Sequence, residues 1–367
     1  MNKVLVTGYA IGLDVGPCQV CNYDLDWLID YPSVLLWADK ILVPKTIWDV
    51  IQQEKHPREN SVAKSCKLIF DVAKEAGIVE IVEPSTIVTE SLCDSIDMQI
   101  AEDVDNFRRL FPDKVHTKSL AKPGADGPVE TVIDGMGYCD VYLWSIYASL
   151  ILARTWGVNC LFNNNTIHYL RYKFAMTAKP DGINLDRAQS FTTVFQNYLP
   201  NDPIIPYYAL HSEGKCTQCK REKECNDSYL LDVEKRVREL LRWRDYDEIL
   251  QAKDVLESIV ASRDSHDGIS DPKEIAKAFH EKQSKILKCT RLVFPKAKRW
   301  ANIATIISIP IAVAGIASSS PLVTLSGAAT AGIAQIGKEY LQYLESKYRW
   351  VGFLSSIPNL CDKQLDA

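Results

Sequence analysis

Apolar residues form short runs that alternate with helical stripes over residues 1–175. Apolar runs bounded by turn residues predict three β-strands, at 3–7, 38–44 and 78–82. Apolar residues at helical spacing predict helices near 47–51 and over 61–76, the second of which stops at Gly77. A further helix is predicted from Asp140, followed by an apolar strand at 158–162. This alternation predicts an α/β domain with a mainly parallel sheet flanked by helices.

Turn-forming residues interrupt the pattern at two places. Residues 117–130 are rich in Gly and Pro and predict a loop, and the Pro-rich residues 180–206 predict a linker. Beyond that linker the apolar spacing is helical, and Pro272 is expected near the start of a third helix. We therefore expect three parts, an α/β domain at 1–178, a linker with a cysteine-rich knuckle at 179–226, and an all-α region at 227–367.

Composition narrows the function classes only a little. A chain of 367 residues with 47% hydrophobic residues can bury a sizeable core. Its net charge of −5 gives no overall attraction for nucleic acid, so any such surface must be local. Eleven cysteines, with no disulfide-like spacing and no complete signal-peptide core, favour a reducing compartment. The expected location is the cytoplasm.

Four side chains with oxygen ligands follow the predicted elements of the α/β domain. They are Asp14 beyond the first strand, Asp49 on the helix after the second, Asp140 at a later helix start, and Asn164 after the next strand. Carboxylate and amide oxygens suit Mg²⁺ or Mn²⁺. The run of Asn163, Asn164 and Asn165 keeps an oxygen ligand but has no negative charge.

This arrangement resembles the PIN-domain family of nucleases. That family places acids after the first strand, on the helix after the second, at a later helix start, and after the next strand, where this chain has asparagine. The resemblance implies a PIN-like fold and a Mg²⁺- or Mn²⁺-dependent phosphodiester hydrolase acting on RNA. It also implies that Asp14, Asp49, Asp140 and Asn164 are the catalytic ligands, and that their oxygens converge at the carboxyl ends of adjacent parallel strands. PIN-like domains joined to further modules suit a prokaryotic toxin or defence protein.

Several of these acidic residues, and a nearby histidine, also have a purely structural interpretation. Asp140 could be the N-cap of its helix, and Asp49 could simply face solvent. Asp94 and Asp97, on one helical face, could replace the missing carboxylate or form a solvated surface. His168, close to the asparagines, is interpreted as a structural residue rather than a general base.

Cysteines and one histidine suggest a second metal site near the linker. The candidate ligands are Cys18, Cys21, His211, Cys216, Cys219 and Cys225. The last three cysteines have the spacing C-x₂-C-x₅-C, which is typical of a zinc knuckle. The histidine could complete a Cys₃His site, or one of the two N-terminal cysteines could be the fourth ligand. Zn²⁺ is the expected ion, and an iron–sulfur cluster is the alternative.

The chain carries no charged residue between Arg299 and Lys338. This stretch predicts an apolar helical hairpin at 301–337, divided near Pro321 into two arms. Each arm is shorter than the ~20 residues that span a bilayer. Small residues suit a buried hairpin, whereas the basic and aromatic flanks suit insertion at a membrane surface. Both interpretations remain open.

The sequence thus leads to three hypotheses. The first is a PIN-like ribonuclease, or an effector derived from one. The second is an inactive PIN-like module that binds a partner or nucleic acid and self-associates through its helical C-terminal region. The third is a membrane-disrupting effector that acts through the apolar hairpin.

Overall fold

The computed structural model describes residues 2–7, 28, 31–53, 60–119, 129–177, 185–199, 222–262, 271–302 and 346–354. Within helices, the backbone alone is described at 60–63, 186, 222–229, 232 and 289–302. The described chain contains one parallel sheet, one antiparallel sheet and a set of helices around them. The helices include those predicted for the C-terminal region.

The central sheet has four parallel strands in the order β3-β2-β1-β7. These strands are β1 (Lys3–Leu5), β2 (Lys40–Pro44), β3 (Val79–Val82) and β7 (Asn159–Cys160). In register, Val4 of β1 lies opposite Ile41 of β2 on one side and opposite Asn159 of β7 on the other. Val4, Leu5, Ile41 and Val43 are fully buried, as expected for a parallel sheet covered on both faces. The predicted parallel sheet is confirmed.

Helices connect these strands and cover the sheet. The first four are α1 (Val34–Trp37), α2 (Lys45–Gln52), α3 (Asn60–Glu75) and α4 (Glu90–Leu110), with a 3₁₀ turn at Pro84–Thr86. The predictions at 47–51 and 61–76 are confirmed by α2 and α3. Gly77 follows α3 with a φ of 73°, a left-handed conformation that ends helices. Thr89 caps α4 by accepting a hydrogen bond from the Leu92 N–H.

A three-stranded antiparallel sheet follows α4. Its strands are β4 (Val115–Ser119), β5 (Val129–Ile133) and β6 (Met136–Cys139), in the order β4-β5-β6. The loop predicted over 117–130 is wrong at both ends, because 117–119 and 129–130 are paired strand residues. Asp134 and Gly135 join β5 to β6 with φ values of 51° and 85°. An Asp-Gly pair between strand residues favours this two-residue turn and is the signal that identifies the hairpin.

The α/β part ends with α5 (Asp140–Trp156), then β7, then α6 (Asn164–Met176) and α7 (Leu185–Gln196). The long apolar helix predicted from Asp140 is confirmed by α5. The linker prediction is corrected at α7, which is a helix with fully buried Phe191 and Phe195. Burial of these two rings gives the segment its helical order despite the neighbouring prolines.

The C-terminal helices pack against the α/β part. They are α8 (Glu222–Trp243), α9 (Asp247–Ser262) and α10 (Pro272–Asn302), and Pro272 is the first residue of α10, as predicted. α8 contacts α3 and α1, α9 contacts α7 and α1, and α10 contacts α7. Arg238 of α8 forms an ion pair with Glu75 of α3 at 2.7 Å. One buried hydrophobic core extends from β1 to the helical residues at 346–354.

Two further predictions concern the membrane and the cysteines. Among the described helices, none is long and apolar enough to cross a membrane. The described residues reach the predicted hairpin only at 301–302, so the hairpin stays a prediction. Cys66, Cys93 and Cys160 are free thiols. Cys139 is disulfide-bonded, which the cysteine spacing did not predict.

Candidate functional site

The carboxyl ends of β1, β2 and β7 lie side by side at one edge of the parallel sheet. Thr7, just beyond β1, donates a hydrogen bond from its hydroxyl to the Leu161 carbonyl beyond β7, at 2.9 Å. α2 starts directly after β2, at Lys45. The chain therefore leaves the sheet at three neighbouring points. The predicted ligands Asp14, Asp49 and Asn164 follow these points along the chain, whereas Asp140 follows β6 of the antiparallel sheet.

Asp140 is the first residue of α5. Tyr142, in the same helical turn, donates a hydrogen bond from its hydroxyl to Oδ1 of Asn163 at 3.0 Å, which joins the start of α5 to the start of α6. Cys139 occupies the N-cap position. The interpretation of Asp140 as an N-cap is therefore wrong.

The electrostatics around Asp140 are unfavourable for a carboxylate. Partial burial, followed by the negative charge of Asp97 on α4, raises the pKa of Asp140 above its ordinary value. Both Asp94 and Asp97 are exposed. Of these two acids, Asp97 is the one whose charge acts on Asp140. Asp97 is therefore the better candidate for the missing carboxylate, and a bound cation would relieve the repulsion between the two acids.

Asp49 lies on α2, one turn beyond the end of β2. Its carboxylate forms an ion pair with Lys45 at 2.6 Å, and 45% of the side chain is exposed. The two residues are four positions apart on the helix, a spacing at which opposite charges stabilise each other. Asp49 is thus available from solvent, with its charge balanced by Lys45.

The asparagine run forms the start of α6, and its members differ. Asn163 is the N-cap, because its Oδ1 accepts a hydrogen bond from the Thr166 N–H at 2.8 Å. Asn164 and Asn165 are exposed. Asn163 therefore has a structural role, whereas the exposed amides of Asn164 and Asn165 are available to a ligand.

The structure brings some of the predicted ligands to one sheet edge. Asp49 and Asn164 lie on helices that follow β2 and β7, and Asp140 starts α5, which the hydrogen bond from Tyr142 to Asn163 joins to the start of α6. Asp14 falls outside the described residues, so the convergence of all four stays a prediction. Within the described part of the chain, no three His, Cys, Asp or Glu side chains are grouped to hold a metal ion.

The second predicted metal site lies mostly outside the described residues. Cys225 lies in the first turn of α8, where the backbone alone is described. The remaining candidates, Cys18, Cys21, His211, Cys216 and Cys219, fall outside the described residues. A zinc knuckle therefore stays a prediction.

Sequence reasoning missed a buried polar network behind the site. Oδ2 of Asp103 on α4 accepts hydrogen bonds from the Tyr147 hydroxyl on α5 and the Lys173 ammonium on α6. The Tyr147 and Tyr169 hydroxyls lie 2.7 Å apart. Gln99 donates to Oδ1 of Asp103 at 3.1 Å. This network joins the three helices that carry Asp97, Asp140 and Asn164.

The sequence does contain a signal for this network. Asp103 is 1% exposed and shares a helical stripe with buried Ile96, Ile100 and Phe107. A carboxylate in such a stripe needs a cation or hydrogen-bond donors from another element. That partner, Lys173, is distant in the chain, so the fold was needed to identify it.

No protein-family model, curated protein sequence or solved structure matches the chain. The resemblance to PIN domains therefore depends on the candidate ligands and on the elements that carry them.

Proposed function

We propose that the chain is a PIN-like, Mg²⁺- or Mn²⁺-dependent nuclease that acts on RNA. The observation that carries this proposal is the placement of Asp49 and Asn164 on helices that follow two strands of a parallel sheet, with Asp140 at the start of α5, which is joined to the start of α6. Asp14 is proposed as the fourth ligand.

The available donors fit a hard divalent cation. The described candidates are all oxygen ligands, and two of them, Asp97 and Asp140, repel each other. When bound, Mg²⁺ or Mn²⁺ supplies neutralisation of phosphate charge and activation of a water molecule. The chain supplies ligands for the ion and keeps them on rigid elements, because α5 and α6 are joined through Tyr142 and Asn163.

The asparagine sets a limit on metal affinity. Asn164 provides a neutral oxygen where an acid would add one negative charge, so Coulomb attraction for the ion is weaker. Asp97 offers compensation from the neighbouring helix α4. A site with this charge distribution is expected to need a higher metal concentration than a site with four carboxylates.

The decisive experiment measures cleavage of a labelled single-stranded RNA by the purified chain with Mn²⁺. Asp140→Asn should reduce the rate by more than the ~10- to 100-fold typical of losing an outer-shell metal partner. Asn164→Asp should lower the Mn²⁺ concentration required, because it restores a carboxylate. Asp254→Asn is the matched control, since Asp254 is exposed on α9, one of the C-terminal helices, which carries none of the candidate ligands.

Two outcomes would contradict the proposal. Equal cleavage by wild type and Asp140→Asn would assign the activity to another site or to a contaminating enzyme. RNA binding without turnover, unaffected by Mn²⁺, would instead favour the inactive binding module. The exposed ion pair between Lys45 and Asp49, which already neutralises one candidate ligand, is the observation that favours this second function.

A further inference from the structure

Helix α6 carries a row of polar and aromatic side chains that begins at a candidate ligand. Asn164, His168 and Tyr172 are spaced four residues apart, so they follow each other along one helical face in steps of ~6 Å. The ring centroids of His168 and Tyr172 are 5.3 Å apart. Both rings are partly exposed. The row leads from the sheet edge along α6.

Tyr138 fixes the hydrogen-bonding state of His168. The Tyr138 hydroxyl lies 2.8 Å from His168 Nδ1 and donates to the Asn165 carbonyl at 2.9 Å. Because a phenol has one proton, Nδ1 must be the donor to the Tyr138 oxygen. Burial lowers the pKa of His168; the charge of Asp134 opposes this effect, and the charges of Arg171 and Lys114 add to it. Because the pKa is below its ordinary value, the neutral ring predominates at neutral pH. Nε2 is then a hydrogen-bond acceptor.

This acceptor is open to a ligand. Within the described part of the chain, His168 Nε2 has no hydrogen-bond partner, and the atom is not buried. It therefore reaches solvent. A histidine whose tautomer is fixed on one side presents a single, oriented acceptor on the other.

Two cations lie beside this row, and they differ in how far their charge is balanced. The Lys114 Nζ lies 3.4 Å from the Tyr172 hydroxyl and 3.5 Å from the Asp134 carboxylate, which neutralises it. Arg171 is exposed, and no acid among the described residues pairs with it. Arg171 is thus the positive charge that remains available to an anionic ligand.

We propose that this face of α6 binds single-stranded RNA next to the candidate nuclease site, an inference that rests on the proposed function. His168 and Tyr172 provide rings against which unpaired bases stack. Arg171 contacts a phosphate. His168 Nε2 accepts a hydrogen bond from a ribose 2′-hydroxyl, a donor that DNA lacks. The surface therefore prefers RNA to DNA and single strands to duplexes.

The first test measures binding without cleavage. Fluorescence anisotropy in EDTA compares a labelled single-stranded RNA with DNA of the same sequence and with an RNA duplex. Arg171→Glu should weaken RNA binding about 10-fold and reduce the slope of log affinity against log salt by about 1. Lys277→Glu makes the same change in charge at an exposed position of α10, and it should leave binding unchanged.

The second test isolates the acceptor. In His168→Asn, the amide nitrogen replaces Nδ1 as donor to Tyr138, but nothing replaces Nε2. RNA binding should fall about 3- to 10-fold, and more than DNA binding, because DNA loses only the stacking ring whereas RNA also loses the acceptor for its 2′-hydroxyl. The thermal unfolding midpoint of each variant shows that α6 is intact.

The possible results distinguish failure of the RNA-binding surface from failure of the nuclease proposal. No RNA binding by the wild type, or unchanged RNA binding by folded Arg171→Glu, overturns the RNA surface. If Mn²⁺-dependent cleavage is absent while Arg171→Glu still weakens RNA binding, the surface stands and the nuclease proposal fails. Equal loss of RNA and DNA binding in His168→Asn overturns recognition of the 2′-hydroxyl.

Discussion

At the scale of single residues, Asp140 is held in an environment that suits a cation better than a lone carboxylate. Its pKa is raised by partial burial and then by Asp97. The folded state therefore binds a proton at pH values where the unfolded chain has released it. By linkage, stability falls as pH rises through that window. An acid with a raised pKa reduces the free energy of unfolding at neutral pH. This loss of stability is expected for a residue whose role is to bind a cation.

Because the pKa of Asp140 is raised, Asp140→Asn should have a pH-dependent effect on the free energy of unfolding. The amide cannot ionise, so the unfolding free energy of the variant should rise relative to wild type as pH increases from below ~3.9 to neutral. Urea denaturation of the metal-free proteins at several pH values measures the difference. Asp97→Asn should reduce the pH dependence of the wild-type chain. A variant that instead loses stability relative to wild type with rising pH would show that the Asp140 pKa is lowered.

The sequence predicted the elements that carry the candidate ligands better than it predicted the role of each residue. Asp49 and Asp140 lie on the predicted elements because strand and helix periodicity is local information. The different roles of Asn163 and Asn164 were not predictable, since they depend on the hydrogen bond that Tyr142 of α5 donates to Asn163. The tautomer of His168 likewise depends on Tyr138, a residue on another strand.

At the scale of secondary structure elements, α4, α5 and α6 behave as one unit around Asp103. Its carboxylate is 1% exposed, and the Lys173 side chain is 10% exposed. Burial of one charge without the other is unfavourable, because neither solvent nor another charge replaces the missing partner. The network therefore fixes how these three helices pack, and with them the relative positions of Asp97, Asp140 and Asn164.

A double-mutant cycle on this ion pair should show strong coupling. Lys173→Met keeps the volume but leaves the Asp103 carboxylate unpaired, at a cost of ~3–5 kcal/mol of unfolding free energy. Asp103→Leu leaves the ammonium unpaired and is also destabilising. The double variant should be more stable than the sum of the single effects predicts, by ~0.5–3 kcal/mol. Urea denaturation measures each value. Strict additivity would mean that the two charges do not interact.

Element predictions succeeded where apolar periodicity was strong and failed where turn residues dominated. The strands at 40–44 and 79–82 and helices α2, α3 and α5 follow from local patterns. β4 and α7 were missed because nearby Gly and Pro indicated loops. Their order comes from distant partners, β5 in one case and the buried contacts of Phe191 in the other.

At the scale of the whole molecule, the α/β part and the C-terminal helices share one hydrophobic core. α7 lies between them, since it contacts β7 on one side and α9 and α10 on the other. Lys253 of α9 also forms an ion pair with Asp39, next to β2, at 3.0 Å. Contacts of this kind imply that the sheet and the helices unfold together.

A cavity in helix α10, outside the sheet, tests whether the whole molecule unfolds cooperatively. Phe279 of α10 is fully buried against Trp350, with ring centroids 5.2 Å apart. Phe279→Ala should remove ~3–5 kcal/mol of unfolding free energy by leaving a cavity. If the molecule is one cooperative unit, amide hydrogen exchange in β1 and β2 should accelerate along with exchange in α10, because the strands open through global unfolding.

The matched control is Lys277→Ala, an exposed position on the same helix, which should change stability by less than ~0.5 kcal/mol. Faster exchange in α10 with unchanged exchange in β1 and β2 would show two independently folding parts. In that case, unfolding of the C-terminal helices would leave the stability of the candidate site unchanged, because that site depends on the sheet edge and on α4 to α6. Coupled exchange would instead mean that any event at those helices changes the stability of the candidate site.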